Sequence, residues 1–341
     1  MDNATPPPSS RPETPATHWA QISEAGAIGG MRFMFACFKF GGRPLFRVML
    51  APAILYYFLL NGRARHASLD WLRRLRAQGV VRGGWLYWLG FRHFWQFGMA
   101  IIDKLAVWKG DITIADVEVE GGHIVRELFA QGRGAVLIVS HHGNFEICRC
   151  LSARHPQMRL TVMVHTNNAQ KFNRFFREQI GHTHTDLLQV TEITPATAML
   201  LSERVERGEF VVIAGDRVPV NSPGNSLYAD FLGERAPFPA GPFTLAAILR
   251  VPLVSLFCAR DPQLQNRYRI RFEWLSQTTQ ITRKQRPQYL QQLVDDYARQ
   301  LEAQCRRHPL QWFNFFDFWR QPTAPLTADT TAVAATPSKQ D

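Results

Sequence analysis

The sequence predicts an α/β fold: a mainly parallel central sheet flanked by helices, preceded by N-terminal membrane-associated helices. Three observations carry that reading. The runs "GAVLIVS", "RLTVMVH", "EFVVIAG" and "PLVSLFC" are short and apolar enough to be buried strands. Helical stretches alternate with them, around 168–180, 195–207 and 241–250, and strands that alternate with helices build parallel sheets covered on both faces. Ahead of them, "VMLAPAILYYFLL" (48–60) carries no charge.

Taken in order, residues 1–17 and 322–341 are rich in Pro, Thr, Ala and Ser and read as disordered tails. The N-terminus lacks the basic start and apolar core of a secretory signal. Residues 18–62 are expected to be a membrane-associated helical segment. It holds two apolar stretches, "GAIGGMRFMFACFKF", interrupted by Arg32 and Lys39, and 48–60, which contains Pro52. A spanning helix needs about 20 apolar residues, so neither stretch alone is a good candidate. A kinked pair dipping into one leaflet, with Arg43 and Arg47 at its edge, fits, and so does a pair of buried core helices. Arg63, Arg65, Arg73, Arg74 and Arg76 come directly after and favour a membrane with an anionic cytoplasmic leaflet.

Residues 63–321 form the expected α/β domain. "WLYWLGFRHFWQFGMAIIDKLAVW" (85–108) is one aromatic helix or two short ones; it belongs to the core by default, with a wall for an acyl chain as the sharper alternative. "ITIADVEVE" alternates like a strand pair, and "HIVRELFAQ" is a short amphipathic helix. A long helix over 284–307 places Tyr289, Leu293, Val294, Tyr297 and Leu301 on one face. The aromatic "HPLQWFNFFDFW" (308–319) reads as a closing packing segment rather than a chemical one.

The net charge is +11, from 39 Lys+Arg against 28 Asp+Glu. Such a surplus suits an anionic partner: nucleic acid, an anionic membrane or an acidic carrier protein. The basic residues are mostly Arg with no compact basic tail, and with 24 Phe and 9 Trp the balance tilts to a membrane or lipid and away from nucleic acid. Five cysteines form no framework, which fits a reducing, cytosolic-facing compartment.

The chemistry concentrates in "VSHHGNFEIC" (139–148), where a predicted strand ends. Strand carboxyl ends are where ligands gather in such sheets. His141, His142, Cys148, Cys150 and His155 lack the paired spacings that zinc sites favour. Cys148 has a carboxylate beside it, which disfavours a thiolate nucleophile. An acid/base pair remains: His141 is the first residue past the strand, and Glu146 lies about one turn into the following helix. The carboxylate would fix the imidazole, whose other nitrogen takes a proton from a substrate hydroxyl or amine. Gly143 would let a substrate approach the backbone, and Asn144 would cap the helix or donate to an oxyanion. Gly215-Asp216-Arg217 ends another apolar strand, so it should share the same sheet edge, with Arg217 binding an anionic part of a substrate and Asp216 holding the loop or the arginine.

"SHHGNFE" resembles the His-x4-Asp/Glu signature of the lysophospholipid acyltransferase superfamily, in particular its lipid A late-acyltransferase branch. "GEFVVIAGDRVPV", "FLGERAPFPAGPFTLAAILRVPLV" and "RRHPLQWFNFFDFW" resemble further blocks of that family in order, over roughly residues 18–320. The resemblance implies a glycerolipid acyltransferase-like fold and transfer of an acyl group from an acyl carrier protein or coenzyme A thioester. The acceptor would be a hydroxyl of a lipid or glycolipid at the cytoplasmic face of an inner membrane. His141 would be the base, Glu146 its partner, and Asp216 and Arg217 would line the site. No metal or bound cofactor is needed; the thioester is a co-substrate. The block "FPAGPF" lacks the acid and arginine of the glycerolipid enzymes, and "NFFDFW" lacks the basic run of the lipid A enzymes; both bear on the acceptor. The rivals are a non-catalytic lipid-binding protein and an acyl hydrolase using the same pair.

Overall fold

The predicted strands pair into one sheet in a computed structural model of the chain. It describes residues 27–148, 150–151, 159–164, 185–189, 195–218, 224–264, 267–277 and 281–320. Three helices come first: α1 (Ala27–Leu60), α2 (Gly62–Ala77) and α3 (Leu86–Lys109). The α/β part opens with β1 (Val117–Glu120), α4 (Gly122–Ala130), β2 (Ala135–Val139), β3 (Leu160–Val164) and β4 (Thr185–Gln189). It continues with α5 (Pro195–Glu206), β5 (Phe210–Ala214), a hairpin of β6 (Ser226–Phe231) and β7 (Glu234–Pro239), and α6 (Gly241–Leu249). β8 (Leu253–Asp261), β9 (Arg267–Ser276) and α7 (Arg286–Arg307) close it.

The main sheet has the order β1-β9-β8-β2-β5-β3-β4, and its neighbours are parallel except at β8–β9. β2 is central and buried along its whole length. Its side chains alternate between two cores: Ala135, Leu137 and Val139 join the residues under α1, α3 and α4, while Val136 and Ile138 join those under α2, α6 and α7. β5 alternates the same way, with Phe210 and Val212 on the first face and Val211 and Ile213 on the second. An apolar residue at every position is what a strand covered on both faces requires. The mainly parallel α/β architecture is thus present.

Some elements match the sequence reading and others depart from it. "ITIADVEVE" yields one strand, because Thr113 and Asp116 form a capping box that winds Ile114–Asp116 into a 3-10 turn. Residues 86–109 form a single helix. A 3-10 turn, Phe145–Cys148, succeeds the histidine junction where a full helix was expected to begin. The helix expected around 168–180 lies outside the described residues. α1 breaks at Gly42, whose φ of 61° an L side chain rarely adopts, so the two apolar stretches do form a kinked pair.

α1 packs into the body of the protein. Phe46, Leu50, Ile54 and Phe58, four residues apart, form its buried stripe and belong to the same core as Leu137 and Val254 of the sheet. A Cβ on Gly98 of α3 would come within 2.9 Å of Leu50, so the missing side chain is what lets the two helices approach. Phe40–Leu60 is long and apolar enough to cross a membrane by length and composition. α1 also meets α3 through the Arg43–Asp103 pair.

Candidate active site

Register assembles the site. β2 and β5 are parallel with Val139 opposite Ala214, so the residues two positions further on, His141 and Asp216, emerge side by side. The His141 backbone N–H donates to Asp216 Oδ2 at 2.8 Å, and the imidazole Nδ1–H donates to Oδ1 at 2.7 Å. A carboxylate accepts only, so Nδ1 carries the hydrogen and Nε2 keeps its lone pair. No described residue hydrogen-bonds Nε2, and the side chain is 35% exposed. The ring is therefore fixed at one nitrogen and open at the other.

Asp216 is fully buried. Its Oδ2 also accepts from Trp312 Nε1 at 3.0 Å and Asn314 Nδ2 at 3.3 Å. Burial alone would raise its pKa, but the charge and hydrogen bonds of His141, with Arg217 nearby, win and hold it at about 2. His141 is lowered below 6.5, first by burial and then by the Arg217 charge, with Asp216 opposing both. At neutral pH the pair is a carboxylate and a neutral imidazole, the state a general base needs.

The closing segment builds the other side of this site. The Phe313 N–H donates to the His141 carbonyl at 2.9 Å, and the Gly143 N–H donates to the Gln311 carbonyl at 2.7 Å. The Gln311 side chain bonds both the N–H and the carbonyl of Arg260 at the end of β8. Arg217 donates from Nε to Asn314 Oδ1 at 2.8 Å and from an Nη to the Phe313 carbonyl at 3.1 Å. The guanidinium also lies over the Phe316 ring. Residues 311–316, expected to be packing alone, hold the histidine loop, the carboxylate and the arginine together.

Among the described residues no hydrogen bond joins His141 to Glu146, the partner that sequence spacing suggested. Nδ1 is taken by Asp216, while Glu146 Oε1 pairs with Lys104 of α3 at 3.0 Å. Asn144 turns the same way: its Nδ2 donates to the Ala100 carbonyl of α3, and its Oδ1 accepts from the Glu146 N–H. The turn at 144–146 thus docks on α3. Gly143 has a φ of 71°, and a Cβ there would meet the Cys258 carbonyl oxygen at 1.8 Å. The space it leaves is filled by β8, where a substrate approach was expected.

Cys148, Cys150 and Cys258 are buried beneath the loop, and burial pushes the Cys150 thiol up to about 11 and the Cys258 thiol well above its ordinary value. Cys150 and Cys258 are core thiols in their neutral form. Trp312 and Asn314 are the functional positions that motif reading missed. A polar Asn inside "WFNFFDFW" was the available signal, since a buried amide needs partners.

Two further histidines support the site from behind. His93 Nε2 donates to the Trp312 carbonyl at 2.9 Å, so its Nδ1 accepts from the Ser68 hydroxyl, also at 2.9 Å. His142 is buried behind the loop and forms an isolated bridge with Trp312; its ring nitrogens have no hydrogen-bond partner among the described residues. The Gln304 and His308 carbonyls stand close enough to favour its charged form, yet neither completes a bond. Burial lowers His93 to about 4, and burial with the His308 charge lowers His142 to about 3.

These two groups set an acid stability window. Their unfolded pKa is about 6.5, so below that pH the unfolded chain takes up protons that the native state refuses. Stability is complete above pH 6.5 and falls with pH by up to about 1.4 kcal/mol per unit for each histidine. His93 contributes down to about pH 4 and His142 to about pH 3. Urea unfolding at pH 7, 6 and 5 should show this loss. His142→Leu should weaken the slope by about one proton, and an unchanged slope would show that His142 is not buried neutral.

The sequence matches the family described as "Bacterial lipid A biosynthesis acyltransferase" over residues 91–321, which runs from α3 to the end of the closing segment. No curated protein matches the chain. The matched span is more than half the chain and contains His141, Asp216, Arg217 and the closing segment. The chain therefore belongs to the bacterial lipid A biosynthesis acyltransferase family, whose members act as acyltransferases on lipid-like substrates.

Proposed function

We propose that the protein transfers a fatty acyl group from an acyl carrier protein or coenzyme A thioester to a hydroxyl of a lipid or glycolipid. The proposed setting is the cytoplasmic face of an inner membrane. The observation that carries this reading is the neutral His141, fixed by Asp216 at Nδ1 and open at Nε2. Nε2 takes the proton of the acceptor hydroxyl as its oxygen attacks the thioester carbonyl. The C–S bond then breaks, and the imidazolium returns the proton to the leaving thiolate. The buried Asp216 carboxylate stabilises the imidazolium between these steps and remains ionised. No enzyme nucleophile is used.

Arg217 supplies positive charge beside the base, which favours an anionic part of the donor or acceptor. Glu146 is a second carboxylate of the site; its pairing with Lys104 supports a role in seating the 144–146 turn on α3. The acyl chain would lie against the aromatic face of α3, where Phe97 meets Phe313 and Phe315 within three residues of the Trp312–Asp216 contact.

Incubating the full chain in mixed lipid micelles with acyl carrier protein thioester, or with coenzyme A thioester, tests this. Mass spectrometry should show a lipid heavier by one acyl group with one of the two donors. Free fatty acid alone, from either donor, would replace the reading with a hydrolase.

A further inference from the structure

α1 and α3 pack antiparallel. Arg43 pairs with Asp103, Leu50 meets Gly98, and Phe58 meets Gly90, Phe91 and Phe94. The carboxyl end of α1 therefore lies beside the amino end of α3. Large apolar side chains stay uncovered at that corner. Leu59 and Leu60 at the end of α1 are 60% and 67% exposed, and Trp85 and Trp88 at the start of α3 are 74% and 53% exposed. Tyr56 and Tyr87 are exposed beside them. An uncovered apolar surface of this extent marks a binding face.

Its chemistry identifies the occupant. Tryptophan and tyrosine have an apolar body and a polar tip, which suits the boundary between acyl chains and headgroups. The adjoining surface carries exposed Arg63, Arg73, Arg76 and Arg82. On that side Asp70 and Glu234 are both engaged by Arg74. The rim is thus positive and complements anionic headgroups. Arg65 folds back to donate to the Phe58 and Leu59 carbonyls at 2.7 and 2.6 Å. The end of α1 consequently has those carbonyls satisfied from within the protein, as a helix end facing lipid requires.

We propose that this corner docks on an anionic bilayer, with Trp85, Tyr87 and Trp88 at headgroup depth and the end of α1 among the upper acyl chains. α1 then lies along α3, which carries the His93 that bonds the Trp312 carbonyl, and the two helices meet the membrane together. The inference shares with the proposed function the premise of a lipid surface, and it adds which residues hold the protein there.

Flotation of the full chain with vesicles of phosphatidylcholine, alone or mixed with phosphatidylglycerol, tests it. The protein should float with the mixed vesicles and be quenched by brominated lipid. W85S/W88S should bind about tenfold more weakly with unchanged thermal unfolding. Both side chains project from the surface, so the variant should fold. Binding by W85S/W88S equal to that of the parent chain would overturn the assignment, as would equal binding to both vesicle types. Failure of the parent chain to float, together with a dimer that W85S/W88S abolishes, would make the face an interface between copies instead. Acyl transfer to a short-chain acceptor dissolved as monomers should be unchanged in W85S/W88S, so failure of the docking surface and failure of the catalytic reading give different results.

Discussion

Replacing His141 with alanine should lower acyl transfer by about 10²–10⁴-fold, the usual contribution of a general base. The fold should persist, because Asp216 keeps its bonds from the His141 N–H, Trp312 and Asn314. Turnover should fall far more than donor affinity, since the imidazole acts on the proton in flight and makes no ground-state contact that the thioester requires. His142→Ala is the matched control. It leaves a cavity and reduces stability, yet should cost far less activity, because both nitrogens of His142 are buried behind the loop. Loss of transfer in His142→Ala with His141→Ala active would assign the base to the wrong histidine.

Asp216→Asn should be the second most damaging change, lowering turnover by roughly 10²-fold or more. The substitution keeps the shape but removes the charge that stabilises the imidazolium. It also offers an amide that can donate toward Nδ1, favouring the wrong tautomer. The partners of Oδ2 make the effect larger, since Trp312 and Asn314 then donate to a neutral oxygen. Stability should fall less steeply than activity, which steady-state kinetics and urea unfolding on the same preparation would separate.

Much of this was legible in the sequence because strands covered on both faces cannot hide their pattern. "AVLIV" and "FVVIA" are apolar at every position, and both became central strands within a residue of their expected ends. His141 and Asp216 each stand two residues beyond those strands, an equal offset visible in the sequence. What was not visible is that β2 and β5 are neighbours, a property of chain topology that no local window contains. Helical spacing therefore pointed to Glu146, five residues from His141, when the hydrogen bond came from a residue 75 positions away.

Other omissions have different causes. β9, "RYRIRFEWLS", alternates arginine and glutamate with apolar residues, a period-2 signal masked by its high charge, which suggests surface. In fact Tyr268, Ile270 and Phe272 are buried while Arg269 and Arg271 pair with Glu120 of β1. The β6–β7 hairpin contains prolines at 237 and 239, which argue against a central strand; it forms a separate two-stranded sheet where they are tolerated. The closing segment does pack, as its aromatic content implies, but its backbone and Asn314 give it a second task that composition could not disclose.

The central claim, that Asp216 and not Glu146 governs the imidazole, is tested most directly by the acid limb of the pH–rate profile. In the parent chain this limb reports His141 and should lie below pH 6.5. Asp216 favours the imidazolium, so Asp216→Asn should move the limb to lower pH as well as reduce turnover. Glu146→Gln, which leaves Nδ1 and Asp216 untouched, should keep the limb where it is. A limb displaced by Glu146→Gln and unmoved by Asp216→Asn would contradict the account.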